Sequence, residues 1–265
     1  MKYLIKLGGS LITHKSKVRA PRRQIIRSLA QDLVRARDAN PGLEIILGHG
    51  SGSFGHVSGS QHQTRAGVET HEQWLGFAQV WYDARRLNQI VIDELRANSL
   101  PVIAFPPSAV VVSRNKKVLD WDTYPIEQAM LGGLIPVVNG DVAFDIAING
   151  TILSTEDIFI YLLDHIDIDR ILLAGTEPGI WRDFATKHDL IPTMTPDDLP
   201  SLSESLGGSN ATDVTGGMAE KVRLMASLVE KYSHLKVSIF SGEKTGNLYT
   251  ALMGGYPGTT IQQKD

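Results

Sequence analysis

"LEIILGHGSGSFGH", residues 43–56, decides how the chain is read. Its first half is a strand-length apolar run without polar alternation, as expected of a strand buried on both faces. Its second half contains Gly50-Ser51-Gly52-Ser53-Phe54-Gly55, which satisfies the G-x-G-x-x-G spacing. That spacing alone is weak evidence for a dinucleotide fold, which also demands an acid ending a second strand about 20 residues further on. Glu69 and Glu72 lie near that distance, but they open the helix-like segment "HEQWLGFAQVWYDARRLNQIVIDELRA" instead. No Gly-Lys-Ser/Thr follows, so a Walker loop fails as well. What remains is a strand-to-helix turn whose amides suit a phosphate, with His56 directly after it.

Similar apolar runs recur on both sides of this stretch: "YLIKL" (3–7), "LPVIAF" (100–105), "LIPVVNG" (134–140), "RILLAG" (170–175) and "KVSIF" (236–240). Between them lie segments with helical periodicity, near 22–37, 71–98, 123–131, 155–164 and 217–232. Strands alternating with helices predict an α/β chain. Its mostly parallel central sheet would be covered by helices on both faces, a three-layer αβα sandwich. "VVVSRNKKVLDWD" (110–122) reads as a small hairpin, and 186–210, rich in turn formers, as an exposed excursion. No linker or repeat divides the 265 residues, so two lobes of one domain are expected, about 1–150 and 151–265.

Composition narrows the function. Charged residues make up 21% and the formal net charge is −3, so nothing in the charge favours nucleic acid or an anionic membrane. Without cysteine there is no disulfide, thiolate nucleophile or Cys-ligated metal. No apolar run approaches the roughly 20 residues that cross a bilayer, and no secretion signal opens the chain. A soluble cytoplasmic protein is expected.

Two further glycine sites carry chemistry. In "KLGGS" (6–10) a strand ends in Gly8-Gly9-Ser10, whose amides could approach an anion closely. Lys6 within that strand is either an edge lysine in water or a cation reaching the polar end of the sheet. Lys15 could return a second charge to the same place. In "DVTGGMAEK" (213–221), Thr215-Gly216-Gly217 precedes a helix and Lys221 lies one turn in. A plain helix start with a surface lysine is the alternative. The acid pair Glu156-Asp157 also opens a helix. It is either a cap with dipole compensation or an anion that positions the lysines or holds Mg²⁺. The aromatic-rich helix supplies Trp74, Phe77, Val80 and Trp81. Phe77 and Val80 are the preferred candidates for an apolar pocket, against ordinary core or dimer packing. There is no H-E-x-x-H or G-x-S-x-G, and the histidines form no evident metal cluster.

Taken together, "KLGGSLITHK", "HGSGSFGH", "NGDV" (139–142), "STEDI" (154–158), "AGTEPGIW" (174–181) and "DVTGGMAEK" resemble the amino acid kinase superfamily over nearly the whole chain. The closing Gly-Ser-Phe-Gly-His is most similar to the isopentenyl phosphate kinases and related fosfomycin kinases. The resemblance implies an amino acid kinase-like fold and transfer of a phosphoryl group from MgATP to isopentenyl phosphate. It implies the cofactors ATP and Mg²⁺, without a direct protein ligand to the metal, and a homodimer. By position, Lys6 and Lys221 would steady the transferring group, and Lys15 would act at the β- and γ-phosphates. Gly8, Gly9, Ser10, Gly216 and Gly217 would hold ATP phosphates, and Gly179 would border the nucleoside. Gly50, Ser51, Gly52 and Gly55 would form the acceptor-phosphate loop, with His56 bonding that phosphate and Asp141 nearby. Asp157 would organise the lysines. The N-terminal lobe would then bind the acceptor and the C-terminal lobe ATP. Ser51, His14 and "AGTEPGIW" depart from the family's usual pattern. A fosfomycin kinase, another small phosphate or phosphonate kinase of the superfamily, and a non-catalytic nucleotide sensor remain the rival readings.

Overall fold

The computed structural model describes residues 1–183, 186–206 and 217–264. The chain opens with β1 (Lys2–Leu7), a short α1 (Gly9–Ile12), α2 (Arg23–Ala39) and β2 (Glu44–His49). Then come α3 (Gly52–His62) and the long α4 (His71–Ala97). A capping box starts α4: Thr70 Oγ1 accepts from the Gln73 N–H and Gln73 Oε1 from the Thr70 N–H. β3 (Val102–Ala104) and α5 (Pro107–Val110) lead into β4 (Val112–Arg114) and β5 (Lys117–Asp120). Next are α6 (Tyr124–Leu131), β6 (Ile135–Asn139), β7 (Asp141–Asp145) and β8 (Asn149–Leu153). The second half holds α7 (Thr155–His165), β9 (Arg170–Gly175), β10 (Ile180–Asp183), β11 (His188–Ile191) and β12 (Thr193–Met194). It ends with α8 (Leu199–Leu206), α9 (Gly217–Lys231), β13 (Lys236–Ser241), α10 (Asn247–Leu252) and β14 (Thr259–Ile261).

The main sheet runs β12-β14-β13-β9-β1-β2-β6-β3, with every neighbouring pair parallel except β13 and β14. Its strands are apolar on both faces because each face has its own core. Leu4 of β1 joins one core, while Tyr3, Ile5 and Leu7 join the other; β9 divides likewise, Ile171 and Leu173 against Leu172 and Ala174. Helices α6, α7 and α9 cover the first face through Ile126, Phe159 and Met225. Helices α2, α4 and α10 cover the second through Leu29, Leu87 and Leu248. This is the expected three-layer arrangement.

A separate sheet, β5-β4-β7-β8, extends the first half, and β10 and β11 pair as a hairpin. The hairpin expected at 110–122 is β4–β5, and its turn sets both Asn115 and Lys116 at positive φ. The expected excursion at 186–210 needs correction over its described part, 186–206. It contributes β12 to the main sheet, and Ile191, Met194 and Leu202 are buried in the first core. Residues 207–216 lie outside the described chain.

Arg170, buried at the start of β9, makes no ion pair among the described residues. Its guanidinium donates to Ala251 O at 3.2 Å and Ser238 Oγ at 3.0 Å and lies over the Tyr256 ring. It satisfies the carbonyl end of α10 rather than a ligand. The candidate site lies at the opposite ends of the strands. There Leu7, His49, Asn139 and Ala174 are register neighbours at the ends of β1, β2, β6 and β9. Loops leaving the carboxyl ends of parallel strands converge, which is where α/β folds bind ligands.

Candidate active site

Lys6 is the penultimate residue of β1, with Gly48 and Leu173 as its neighbours on either side. Its ammonium pairs with Glu156, and both side chains are nearly buried, 12% and 13% exposed. Burial alone would raise the Glu156 carboxyl. The charges of Lys6 and Lys221 outweigh that and hold it at about 2. The two lysines expected to meet at a phosphate are therefore brought together around one carboxylate, and that carboxylate is Glu156.

Asp157 does something different, which corrects its expected role as the organiser of the lysines. It occupies the third position of α7 and closes a capping box with Ser154. Its Oδ2 accepts from the Ser154 N–H and Oγ–H, both at 2.8 Å, and from Arg65 at 3.3 Å. Adjacent helix residues point about 100° apart, so the two acids cannot share a partner. The S-x-x-D pattern in "STEDI" is itself a capping-box signature. It was the signal that could have assigned Asp157 to the cap and left Glu156 for Lys6.

Helix α7 reaches Lys6 because β2 has a glycine where the helix crosses it. A methyl at Gly48 would lie 2.6 Å from Thr155 Cγ2 and 2.7 Å from Phe159 Cε1. Thr155 Oγ1 then donates to His49 O at 2.8 Å. Sequence reasoning passed over Gly48, because its job is steric.

The "KLGGS" and "HGSG" turns are packed backbone to backbone. A methyl on Gly9 would sit 2.6 Å from Gly52 N, and one on Gly50 2.9 Å from Gly9 N. Thr13, buried, joins them: its Oγ1 donates to Gly9 O at 2.7 Å and accepts from the Ser53 N–H at 2.9 Å. No sequence pattern announced Thr13. Gly8 donates to Ala174 O at 2.8 Å and so is fixed to β9. Gly50 donates to Leu7 O, and Gly55 and Phe54 donate to Ser51 O. Of the acceptor loop, the Gly50, Ser53 and Gly55 amides are thus spent on structure. The first amides of α1, at Gly9 and Ser10, have no partner within their own turn, as at any helix start.

His56 follows as the fifth residue of α3 and is half-buried. His49, by contrast, is wholly buried between Gly50 O at 3.1 Å and Asn88 Oδ1 at 3.0 Å. Burial pushes its pKa down, and the nearby Lys6 charge pushes the same way. His49 is a neutral structural residue; of the two histidines flanking the turn, only His56 has solvent access.

Lys15 is exposed on the loop after α1. Its charge acts on Glu177, two residues past the end of β9. Burial would raise Glu177, but hydrogen bonds from Lys187 and Trp181 and the charges of Lys187 and Lys15 hold it low. Gly179 is packed against β14, where a methyl would meet Thr259 Oγ1 at 2.6 Å, so packing accounts for that glycine. Gly217 opens α9 at φ +65 in open space, and Lys221 is half-buried one turn later. Gly216 lies outside the described residues.

Phe77 and Val80 form a small apolar cluster with Val68 and Val142, flanked by Trp74 and Ile152. Phe77 lies edge-on to Trp74 at 5.2 Å and beside Phe144 at 5.3 Å. Val142 is next to Asp141, so the cluster adjoins the "NGDV" loop. Asp141 is itself buried, accepting from Ser108 Oγ at 2.7 Å and the Val142 N–H at 2.9 Å. Burial raises its carboxyl to about 6, with those bonds opposing. Being raised in the fold, it favours the folded state below the unfolded pKa near 3.8, and that contribution is lost as pH rises through about 6. Asp141→Asn should therefore flatten the stability profile between pH 4 and 6 in urea titrations. An unchanged slope would mean Asp141 is already ionised there.

Among the described residues, no group of three or more His, Cys, Asp or Glu could hold a metal ion. Nor is any described helix long and apolar enough to cross a membrane. The site instead offers cations and glycine turns, the chemistry of polyphosphate binding.

The description of the amino acid kinase family matches residues 1–241. The chain belongs to the amino acid kinase family. Among relatives of this family member, the isopentenyl phosphate kinase of Methanocaldococcus jannaschii is 30% identical over 267 residues, 97% of each chain. That of Methanothermobacter thermautotrophicus is 30% identical over 264 residues, 95% of each. A solved isopentenyl phosphate kinase superposes with a TM-score of 0.82 at 25% identity, over 98% of this chain and 100% of its own. A carbamate kinase from Giardia lamblia bound to AMP-PNP shares the fold at 15% identity, with a TM-score of 0.66.

Proposed function

We propose that this kinase transfers the terminal phosphoryl group of ATP to isopentenyl phosphate, giving isopentenyl diphosphate and ADP. The observation that carries the reading is the full-length similarity to isopentenyl phosphate kinases. The buried apolar cluster of Phe77, Val80, Val68 and Val142 beside the "NGDV" loop is consistent with an isoprenyl acceptor, which needs apolar surroundings that a small polar phosphonate does not.

The chemistry asks little covalent work of the protein. Phosphoryl transfer has a loose transition state with charge on the equatorial oxygens, so positioned cations dominate. Lys6 and Lys221, held by Glu156, supply those cations, and Lys15 adds charge from the rim. Glu156 is paired with Lys6, and Mg²⁺ bound to the nucleotide as MgATP would neutralise phosphate charge there. The acceptor is already a phosphate, largely ionised at neutral pH, so no general base is required. His56 donates a charge-assisted hydrogen bond to it. The first half of the chain holds the acceptor and the second half ATP, in a cytoplasmic homodimer. Exposed Val112 and Phe144, paired across β4 and β7, offer an apolar face for the second copy. Sedimentation should give about twice 29.0 kDa.

ADP release measured side by side with isopentenyl, dimethylallyl and geranyl phosphates and fosfomycin tests the acceptor. Isopentenyl phosphate should give the highest kcat/KM; a preference for fosfomycin would overturn the reading. His56→Ala should lower kcat/KM for the acceptor about 10- to 100-fold, the worth of one charge-assisted bond, with KM for ATP unchanged. Unaltered acceptor kinetics would remove His56 from the site.

A further inference from the structure

We propose that the ion pair between Arg19 and Asp83 is a positioning device that sets where Lys15 stands over the phosphates. The proposal rests on the phosphoryl-transfer reading of the site. Residues 14–20 form a loop closed at its neck by a Thr13–Pro21 bridge and by His14 N–H donating to Ala20 O at 2.9 Å. Beyond the neck, His14 to Arg19 are all exposed. The loop's internal backbone bond is a long one, Lys17 N–H to His14 O at 3.4 Å. Left to itself, such a segment does not hold a lysine to a fixed place.

The order comes from Arg19. Its guanidinium grips Asp83 as a two-pronged fork, Nε to Oδ1 at 2.7 Å and Nη2 to Oδ2 at 2.8 Å. Its backbone N–H donates to Ser53 O at 3.2 Å, and it adopts φ +51, an unfavourable conformation for a residue with a side chain. Asp83 is completely buried in α4. Burial would raise its carboxyl, but bonds from Arg19, Gln79 and Ser58 and the Arg19 charge hold it below the usual range. A buried carboxylate whose ion-pair partner comes from an exposed loop is an anchor point.

Docking of α2 onto α4 does not need this pair. Glu94, three turns further along α4, already takes Arg23 and Arg27 of α2 at 2.6 and 3.0 Å. Ile26, Leu29, Leu33, Leu87, Val91 and Leu95 add apolar contact in the same core. What Arg19–Asp83 adds is a tie from the loop to the acceptor side. Ser53 and Ser58 flank His56 on α3, and Phe77 and Val80 precede Asp83 on α4. Lys15 stands on this loop, two residues past the Thr13–Pro21 bridge, and its charge helps to hold the Glu177 carboxyl low. Arg19 thereby fixes the span from acceptor to nucleotide.

The test is a double-mutant cycle on the full chain, reading kcat for Lys15→Ala, Arg19→Ala and the pair of changes together. Arg19→Ala should lower kcat at least about tenfold, the scale of a small misplacement of a catalytic group, with both KM values within about threefold. The double variant should be no slower than Lys15→Ala alone. Losses that multiply, or a silent Lys15→Ala, would overturn the proposal. Arg19→Lys, keeping charge without the fork, should fall between wild type and Arg19→Ala. Trypsin cleavage after Lys15 and Lys17, followed by mass spectrometry well below the Tm of each variant, should run about tenfold faster in Arg19→Ala. Equal cleavage rates would overturn the anchor. This last readout needs no turnover, so an acceptor panel without activity would fail the kinase reading while leaving the anchor standing.

Discussion

Glu156→Gln should lower turnover about 10²- to 10³-fold, the loss typical of one preorganised electrostatic group, whereas Asp157→Asn should stay within about threefold of wild type. The contrast follows from which acid meets the lysines. Glu156 pairs with Lys6 and lies in the field of Lys221, while Asp157 is committed to Ser154 and Arg65. Without the carboxylate the two ammonium groups repel each other around an emptier site, and Lys6 loses the partner that aims it. Asp157→Asn weakens a cap instead and should cost about 1 kcal/mol of stability. Folding also carries a signature. The Glu156 carboxyl is depressed from 4.5 to about 2, so its contribution is complete above pH 4.5 and lost as pH falls through 2, roughly 3 kcal/mol in all. Between pH 7 and pH 3, urea titrations should show wild type losing about 2 kcal/mol more than Glu156→Gln, because the folded carboxyl is still largely ionised at pH 3. If Asp157→Asn proves the more damaged in turnover, Glu156 is not the organiser.

Gly9→Ala should be nearly as harmful, although it adds one methyl to a residue without a charge. The new Cβ would lie 2.6 Å from Gly52 N and 2.7 Å from Gly52 Cα, backbone atoms that no rotamer change can move. The two turns must separate, and the Thr13 bridge between Gly9 O and Ser53 N must lengthen. Because donor and acceptor phosphates would rest on opposite turns, their distance changes directly. A shift of about 1 Å is enough to lose roughly 10² in kcat. Overpacking should also cost about 1–3 kcal/mol. Gly42→Ala, where the nearest atom is Asn40 Oδ1 at 3.5 Å, is the control and should match wild type in both measurements. Wild-type turnover in Gly9→Ala would show that the turns tolerate separation.

Much of the fold was legible because a sheet buried on both faces must be built from apolar runs. "YLIKL" and "RILLAG" coincide with β1 and β9 to within a residue, and the periodic segments near 22–37 and 71–98 are α2 and α4. The strands that escaped were short or partnered outside the main sheet, such as β7, β8 and β14. Their burial comes from neighbours distant in the chain, so a window of local sequence does not contain it. Residues 186–206 read as exposed for the same reason: turn formers dominate locally, while Ile191, Met194 and Leu202 find the core.

The site divides in the same way. By itself the sequence determined the family of chemistry, because lysines beside glycine turns are types that phosphate binding demands wherever the chain folds. It also singled out Lys6, Lys221 and His56 as candidates. Only the tertiary structure decided that Glu156 and not Asp157 meets Lys6, that Gly48 lets α7 approach, and that Thr13 joins the two turns. Residue type is written in the chain, but which of two adjacent side chains meets a distant partner depends on the phase of a helix and its height over a strand. Those are set by packing across the whole sheet.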